Sequence, residues 1–209
     1  MKKYSFDAIL FDFGNVIIDI DFDIMFRGFA KASGKSVEMV KKRLLENQVF
    51  RRYESGYFTD PEFHEVIRQT LGFPFNNREI EQIWNSMLLH IPPNRIELLR
   101  YLNTKFPVFL LSNTNNIHIQ WCNNYLYEHF RIKSVKDLFK KAYFSYEIGM
   151  WKPDEVIYDY IINDTKFEAN QFLFFDDNEA NIIGAKNVGL QTIQVTPEYG
   201  ILDFFKERP

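Results

Sequence analysis

The sequence lacks most of the features that place a protein outside the ordinary globular class. Its 209 residues include one cysteine, Cys122, so an intramolecular disulfide and a metal site built from cysteines are both excluded. No segment approaches the ~20 consecutive apolar residues that a membrane-spanning helix needs. The formal net charge is only -3, and there is no polybasic or arginine-rich tract. We therefore expect a soluble cytoplasmic protein with no membrane or nucleic-acid partner.

The chain does contain ample material for a hydrophobic core. Hydrophobic residues make up 46% of the sequence and aromatic residues 17%, including 22 phenylalanines. A chain of this length suits one large domain, or a core domain that carries a smaller insertion. The aromatic excess can fill a core or cover an interface, so a monomer and a homodimer both remain open.

A helical block occupies the first half of the chain. Apolar residues recur at helical spacing over residues 24–90, and no segment there has the pattern of a strand. Asp23 is the predicted N-cap of the first helix. Residues 59–62, Thr-Asp-Pro-Glu, are typical of a further helix start. Pro92-Pro93 then breaks the pattern, so we expect the helical block to end near residue 90.

The rest of the chain alternates strands with single helices. The predicted strands are residues 6–13, 108–113, 142–145, 172–177 and 191–195. A helix over residues 154–162 is expected to bury four apolar side chains, Val156, Ile157, Tyr160 and Ile161. This order predicts an α/β fold, in which a parallel sheet is built with right-handed crossovers.

Three of the predicted strands end in polar residues, namely Asp12, Ser112-Asn113 and Asp176-Asp177. Because the strands are parallel, these ends lie at one edge of the sheet, where open α/β sheets place their active sites. Carboxylates are ligands that Mg²⁺ prefers, and Lys152, which precedes a predicted helix, can supply a point charge for an anion. Asp12 would then be placed to attack phosphorus and form an aspartyl phosphate. Each residue alone has an ordinary structural explanation, but all of them in this order favour a catalytic site.

Four segments together resemble the motifs of a known superfamily. They are Phe-Asp-Phe-Gly-Asn-Val (residues 11–16), Leu-Leu-Ser-Asn-Thr-Asn (110–115), Gly-Met-Trp-Lys-Pro (149–153) and Phe-Phe-Asp-Asp-Asn-Glu-Ala-Asn (174–181). They resemble the haloacid dehalogenase-like (HAD) hydrolases, and within them the subfamily IA branch of α-glucose-1-phosphatase-type enzymes and the phosphatase domain of epoxide hydrolases. The resemblance implies a Rossmann-like parallel sheet core, residues 1–17 and 91–209, with a helical cap, residues 18–90, inserted after the first motif.

The resemblance also implies a phosphatase that hydrolyses a small phosphorylated substrate, such as a sugar phosphate. Asp12 would be the catalytic nucleophile. Ser112 and Asn113 would hold phosphate oxygens, and Lys152 would neutralise charge on the phosphoryl group and on the nucleophile.

Mg²⁺ is the cofactor that the resemblance implies. Asp12 and Asp177 would ligate the ion directly, with the backbone carbonyl of Gly14 as a further ligand. Asp176 would bind it through water, and Asn181 would support these carboxylates from the following helix. A dehalogenase fits less well, because it needs no Mg²⁺ and would leave the Asp176-Asp177 pair without a metal to hold.

In the predicted cap, residues 51–56 resemble a Glu-x-Gly loop that faces the substrate in this family. Arg51 and Glu54 are therefore candidates for substrate binding. A solvated polar loop is the alternative interpretation of the same residues.

One position departs from the pattern of most phosphatases of this superfamily. They carry a second Asp two residues after the nucleophile as general acid and base, whereas this chain has Gly14, as does the branch named above. General acid–base help is worth ~10²–10⁴-fold, so we expect slow turnover of substrates with poor leaving groups. Water, Asp19 or Asp21 could replace the acid. The alternative hypothesis is a phosphate-binding or regulatory protein that has lost turnover, and a mutase is disfavoured because it relies on the missing acid.

Overall fold

A parallel sheet of five short strands forms the centre of the computed structural model, which describes residues 4–206. The strands are β1 (Ala8–Phe11), β2 (Val108–Ser112), β3 (Lys141–Phe144), β4 (Phe172–Asp176) and β5 (Gln191–Gln194). Their order across the sheet is β3-β2-β1-β4-β5, so the strand order reverses at β1. Binding sites of open α/β sheets lie at the carboxyl ends of the strands beside such a reversal.

The three central strands are covered on both faces. Every residue of β1, β2 and β4 is buried, as expected for the continuous apolar runs of parallel strands. Alternate residues of β1 enter different hydrophobic clusters, with Ile9 and Phe11 in one cluster and Ala8 and Leu10 in the other. The sheet therefore separates two cores, and the predicted α/β fold is confirmed.

Helices connect the strands and cover the sheet. The α-helices of residues 4–206 are α1 (Phe22–Ser33), α2 (Val37–Glu46), α3 (Val49–Glu54), α4 (Asp60–Leu71), α5 (Asn77–Asn85), α6 (Pro93–Asn103), α7 (Asn116–Phe130), α8 (Ser145–Ile148), α9 (Glu155–Thr165), α10 (Glu179–Asn187) and α11 (Ile201–Lys206). Short 3₁₀ segments, Val135–Leu138 and Ala169–Gln171, precede β3 and β4. None of these helices combines the length and the apolar composition needed to cross a membrane.

Helix α9 turns a different face inward from the one that the sequence predicts. Its buried residues are Ile157, Tyr158 and Ile161. Val156 is 59% exposed and Tyr160 is 36% exposed, so the prediction was wrong for these two residues. Tyr158 is buried in their place, and its hydroxyl donates to the backbone carbonyl of Asn181 at 2.9 Å, which fixes the rotation of the helix.

Helices α1 to α5 follow one another in the first half of the chain, and the helix start at residues 59–62 is confirmed as a capping box. The first helix begins earlier than predicted. Asp21, not Asp23, is its N-cap, and the Asp21 carboxylate accepts the Asp23 N–H at 2.8 Å. The reason is that the Asp21 N–H donates to the Met87 carbonyl at 2.8 Å, which holds the chain extended up to this residue.

The two ends of the helical block lie side by side. The Asp19 N–H donates to the His90 carbonyl, and the Leu89 N–H donates to the Asp19 carbonyl, both at 3.0 Å. Buried side chains of α4 and α5 belong to the same hydrophobic cluster as Phe11 of the sheet. The division into a cap and a core stays a prediction, and residues 1–3 and 207–209 of the predicted core lie outside the described residues.

Candidate active site

Three acidic side chains converge at the carboxyl edge of the sheet. Asp12 directly follows β1, and the neighbouring strand β4 ends at Asp176, with Asp177 next in the chain. The Asp12 N–H donates to the Phe175 carbonyl at 2.8 Å, so the two strand ends are level with each other. One carboxylate oxygen from each acid lies within 4.8 Å of the others. The structure therefore brings together the acids that the sequence places at separate strand ends.

The Lys152 ammonium lies between two of these carboxylates. Its Nζ donates to Asp12 Oδ1 at 2.6 Å, to Asp176 Oδ2 at 2.7 Å and to the Leu111 carbonyl at 3.0 Å. An ammonium has three N–H donors, so all of them are used. Burial by itself lowers the pKa of Lys152, but the carboxylates of Asp12 and Asp176 outweigh it and raise that pKa above its usual value. Lys152 therefore carries a positive charge inside the protein.

Asp176 is fully buried, and protein donors hold both of its carboxylate oxygens. The Asn181 amide donates to each oxygen at 3.0 Å, and the Asn178 N–H donates to Oδ1 at 2.8 Å. Asn181 thus contacts Asp176 from the helix that follows it, α10. The hydrogen bonds from Lys152 to Asp12 and from Asn15 to Asp177, in contrast, each use one carboxylate oxygen.

Asn15 is a site residue to which sequence reasoning gave no role. Its amide nitrogen donates to Asp177 Oδ2 at 2.9 Å, and its side-chain oxygen accepts the Ile20 N–H at 3.1 Å. Its backbone is left-handed, with φ 53°, a conformation that asparagine tolerates better than most residues. The sequence feature that points to this role is an asparagine directly after a glycine at the end of a strand. Asn15 therefore connects the turn after β1 to the acid after β4.

Burial makes ionisation of the clustered acids costly. Burial, opposed by the attraction of Lys152 and assisted by the nearby Asp176, raises the pKa of Asp12 to about 7. Burial also raises the pKa of Asp177. One ammonium therefore does not offset three acids at such short range, and a further positive charge would be favoured here.

A side chain at position 14 would meet Ile20. A Cβ at Gly14 would lie 2.9 Å from Ile20 Cδ1, so any larger residue, aspartate included, would require Ile20 to shift. The Gly14 carbonyl accepts no backbone hydrogen bond from any residue within 4–206. That oxygen faces no competing donor and could serve as a ligand for a cation.

Ser112 and Asn113 lie at the end of β2, but the Asn113 side chain is already engaged. Its Nδ2 donates to the Lys152 carbonyl and its Oδ1 accepts the Lys152 N–H, both at 2.9 Å. Asn113 therefore fixes the backbone from which the Lys152 side chain extends. Sequence reasoning expected both residues to hold phosphate oxygens, whereas the structure gives the amide of Asn113 this different contact. Ser112 is buried, with 3% of its surface exposed.

Arg51 and Glu54 belong to helix α3 and not to a loop. Arg51 Nη2 lies 2.6 Å from Asp154 Oδ2, and the guanidinium lies 5.1 Å from the centre of the Trp151 ring. The indole N–H of Trp151 donates to Glu54 Oε2 at 3.1 Å. Helix α3 therefore contacts the chain on both sides of Lys152. The alternative of a solvated loop is wrong for Glu54, which is 8% exposed.

A family model described as haloacid dehalogenase-like hydrolase matches residues 6–189. The chain belongs to this family. The superfamily and the hydrolase class that the motifs predict are therefore confirmed.

Individual relatives of this HAD-family chain agree with the assignment. A D-ribitol-5-phosphate phosphatase of Bacteroides thetaiotaomicron is 30% identical over 192 residues, which cover 92% of each chain. A HAD-family enzyme from the same species, solved in complex with magnesium and inorganic phosphate, has a TM-score of 0.85 and 30% identity, and the match covers 96% of this chain and 100% of that one. A HAD-like hydrolase from Porphyromonas gingivalis has a TM-score of 0.87 and 25% identity, with 97% of each chain covered.

The two acids considered as replacements for the one missing at position 14 have other partners in this HAD-family chain. Asp19 Oδ1 lies 2.7 Å from Arg95 Nη1, and Asp19 Oδ2 lies 3.3 Å from His90 Nε2. Asp21 is the N-cap of α1. Neither carboxylate is therefore a free acid beside Asp12.

Proposed function

We propose that this HAD-family hydrolase is a Mg²⁺-dependent phosphatase that hydrolyses a small phosphomonoester, such as a sugar or polyol phosphate, by way of a phosphorylated Asp12. The observation that carries the proposal is the cluster of three acids around a buried lysine at the carboxyl edge of the sheet. Carboxylates and an ammonium at one point suit a divalent cation together with a phosphate dianion.

The donor set of the cluster fits Mg²⁺, because every available ligand is an oxygen atom. Asp12, Asp177 and the Gly14 carbonyl would hold the ion. Asp176, whose oxygens already accept hydrogen bonds from the protein, would act through water and by holding Lys152. When bound, Mg²⁺ supplies positive charge that reduces repulsion between the nucleophile and the phosphate.

The remaining residues each have a distinct task in this proposal. One Asp12 oxygen attacks phosphorus while Lys152 holds the other oxygen, so the nucleophile has a fixed direction. The Ser112 hydroxyl and the Asn113 backbone N–H would donate to phosphate oxygens, because the Asn113 amide is bonded to Lys152. Water then hydrolyses the aspartyl phosphate. The helical block excludes bulk water and selects the alcohol part of the substrate.

The relatives support both parts of the proposal. One is named as a phosphatase for D-ribitol 5-phosphate, a phosphorylated polyol, and another was solved with magnesium and inorganic phosphate bound. Each matches this chain over more than nine-tenths of its length, and the family model spans residues 6–189, which include Asp12, Lys152 and Asp177.

Phosphate release from a panel of sugar, polyol and nucleotide monophosphates, with Mg²⁺ or with EDTA, tests the proposal. The wild-type protein should release phosphate only with Mg²⁺, and Asp12→Asn should release none above background. Asp177→Ala should lose the response to Mg²⁺ while keeping its fold, because the residue follows a strand and is not part of a hydrophobic cluster. Equal phosphate release by wild type and Asp12→Asn across the panel would contradict the proposal.

Gly14 is the observation that favours a second candidate, a phosphate-binding or regulatory protein that has lost turnover. Such a protein would bind inorganic phosphate in a Mg²⁺-dependent manner but release none from any ester. Isothermal titration with phosphate and Mg²⁺, run beside the phosphatase assay, separates the two candidates.

A further inference from the structure

A buried carboxyl group beside the candidate site has no task in the proposed chemistry. Glu54 ends helix α3 and is 8% exposed. Its Oε2 accepts the indole N–H of Trp151 at 3.1 Å. Trp151 directly precedes Lys152, whose ammonium lies 2.6 Å from Asp12. Glu54 is therefore hydrogen-bonded to the residue that directly precedes Lys152, and Lys152 holds the proposed nucleophile.

The cations on α3 and in the segment that contacts it have other partners. Arg52 lies over the Phe58 ring, 4.4 Å from its centre. Arg51, one turn earlier on α3, pairs with Asp154 at 2.6 Å. Lys152 is bonded to Asp12 and Asp176. Within residues 4–206, Glu54 forms no ion pair at all. Its carboxyl group therefore accepts one neutral donor, unlike Asp12 and Asp176, which share the Lys152 ammonium.

The other elements that pack against α3 add no free charge. On α8, Glu147 pairs with Lys136 at 2.8 Å. The charged residues of α2 have their own partners, with Lys41 2.6 Å from Asp23, Lys42 3.9 Å from Glu46, and Arg43 donating to the Thr70 carbonyl at 3.2 Å. The protein therefore buries Glu54 without providing the cation that would keep it ionised.

The environment of Glu54 favours the protonated form. Burial raises its pKa from the usual 4.5 to about 7, while the Trp151 hydrogen bond and the charge of Lys152 oppose the rise. A carboxyl group that gains and loses a proton near neutral pH is suited to general acid–base work. Asp19 and Asp21 are engaged elsewhere, because Asp19 pairs with Arg95 and Asp21 caps α1.

We propose that Glu54 is the general acid and base of the hydrolysis, in the role that Gly14 cannot fill. The inference rests on the proposed phosphatase function. As Asp12 bonds to phosphorus, the bond from phosphorus to the ester oxygen breaks, and that oxygen takes its electron pair and the Glu54 proton to leave as an alcohol. Water then attacks phosphorus and gives one proton to the Glu54 carboxylate, and the Asp12 carboxylate departs with its electron pair. Glu54 ends protonated, as it began.

The position of Glu54 gives this proposal a structural consequence. The Glu54 carboxyl group belongs to α3 in the helical block, whereas the proposed nucleophile, Asp12, follows strand β1 of the sheet. A substrate would meet both groups only when the helical block lies against the sheet edge, as it does in this structure through the Trp151 hydrogen bond. Proton transfer is then confined to the closed arrangement.

Glu54→Gln is the decisive variant, because glutamine keeps an oxygen for the Trp151 N–H and replaces the ionisable oxygen with an amide NH₂ group. We expect turnover of an alkyl phosphate such as ribitol 5-phosphate to fall by ~100-fold or more. The pre-steady-state burst of nitrophenolate from p-nitrophenyl phosphate should stay within about threefold of wild type, since that leaving group needs no proton. Glu65→Gln, at an exposed glutamate of α4 that contacts Arg68, is the matched control and should leave both reactions unchanged.

Two outcomes overturn the inference while leaving the proposed function in place. The first is alkyl phosphate turnover by Glu54→Gln within about threefold of wild type. The second is an equal loss in the alkyl phosphate reaction and in the nitrophenolate burst, which would show a positioning role only. A wild-type protein without Mg²⁺-dependent phosphate release would instead overturn the proposed function and this inference with it.

Discussion

The two halves of the candidate site are held in place by contacts of very different strength. On the sheet side, Lys152 and Asp176 are 1% and 0% exposed, and the ammonium is bonded to three acceptors. On the helical side, Arg51 and Asp154 form an ion pair whose side chains are 48% and 44% exposed. Removal of one partner of a buried ion pair lowers the free energy of unfolding by ~3–5 kcal/mol. An exposed ion pair contributes ~0–1 kcal/mol to it.

This difference matches a division of labour. The nucleophile and the lysine must keep one geometry throughout a reaction, so a fixed network around them is an advantage. The helical side must admit a substrate and release a product, and contacts that break at little cost allow this. The contacts around the proposed nucleophile are thus buried, whereas the ion pair beside the proposed substrate entrance is exposed.

Removal of the buried ammonium should have the largest effect. Lys152→Met leaves Asp12 and Asp176 without their shared cation, so we expect a loss of ~3–5 kcal/mol in the free energy of unfolding, together with loss of phosphatase activity. Urea unfolding at pH 8 in EDTA measures the first effect. Lys136→Met is the control, because its pair with Glu147 is 52% and 37% exposed, and it should cost less than ~1 kcal/mol. Equal losses of unfolding free energy in Lys152→Met and Lys136→Met would contradict the difference between the buried and the exposed ion pairs.

The rigid half of the site is also the half that the sequence predicts best. Strands buried on both faces leave continuous apolar runs in the sequence, and the acids that end them must meet at one sheet edge. Asp12 and Asp176 were placed correctly for this reason. The contacts of Lys152, which lies in neither strand, required the motif resemblance as well.

Other features depend on contacts between residues far apart in the chain, and no local pattern reveals them. Asn15 and Asp177 are 162 positions apart, and nothing near Asn15 indicates that partner. The same holds for Asn113 with the Lys152 backbone and for Trp151 with Glu54. The buried face of α9 was mispredicted because adjacent apolar residues, such as Val156 and Ile157, leave the rotation of a helix undetermined.

The pH dependence of stability tests the unpaired acid on the helical side. A carboxyl whose pKa is raised on folding binds its proton more tightly in the folded state, so folding is favoured below the unfolded pKa, near 4.5, and this advantage disappears as pH rises to about 7. Glu54→Gln removes the effect. We expect the variant to gain stability relative to wild type, by up to about 3 kcal/mol, when pH changes from 5 to 8. Urea unfolding at both pH values measures the gain.

The comparison with wild type at each pH cancels the contribution of Asp12, whose pKa is also raised. If the difference in stability between wild type and Glu54→Gln were the same at pH 5 and at pH 8, Glu54 would not be a buried acid with a raised pKa.

Asn15→Ala should have a smaller effect on stability, through the lost Ile20 hydrogen bond and the left-handed backbone, together with a separate effect on metal affinity. The variant frees Asp177 from its amide donor and leaves the carboxylate unpositioned. Loss of a residue that orients a metal ligand costs ~10–100-fold in affinity, so the Mg²⁺ concentration for half-maximal phosphate release should rise by that factor. Asn187→Ala, which removes an exposed hydrogen bond to Glu155, serves as the control. An unchanged Mg²⁺ requirement in Asn15→Ala would show that Asp177 does not depend on Asn15.

The smallest effect on stability is expected at the helical side of the site. Arg51→Ala removes the ion pair with Asp154 and the contact with the Trp151 ring, and because the pair is exposed it should cost less than ~1 kcal/mol in unfolding. Its effect on catalysis should be larger than its effect on stability, since the closed arrangement becomes less populated and KM rises while the buried lysine network is untouched. Steady-state kinetics beside urea unfolding measure both. A loss of several kcal/mol in Arg51→Ala, comparable to that in Lys152→Met, would show that the two halves form one rigid unit and that the helical side is not releasable.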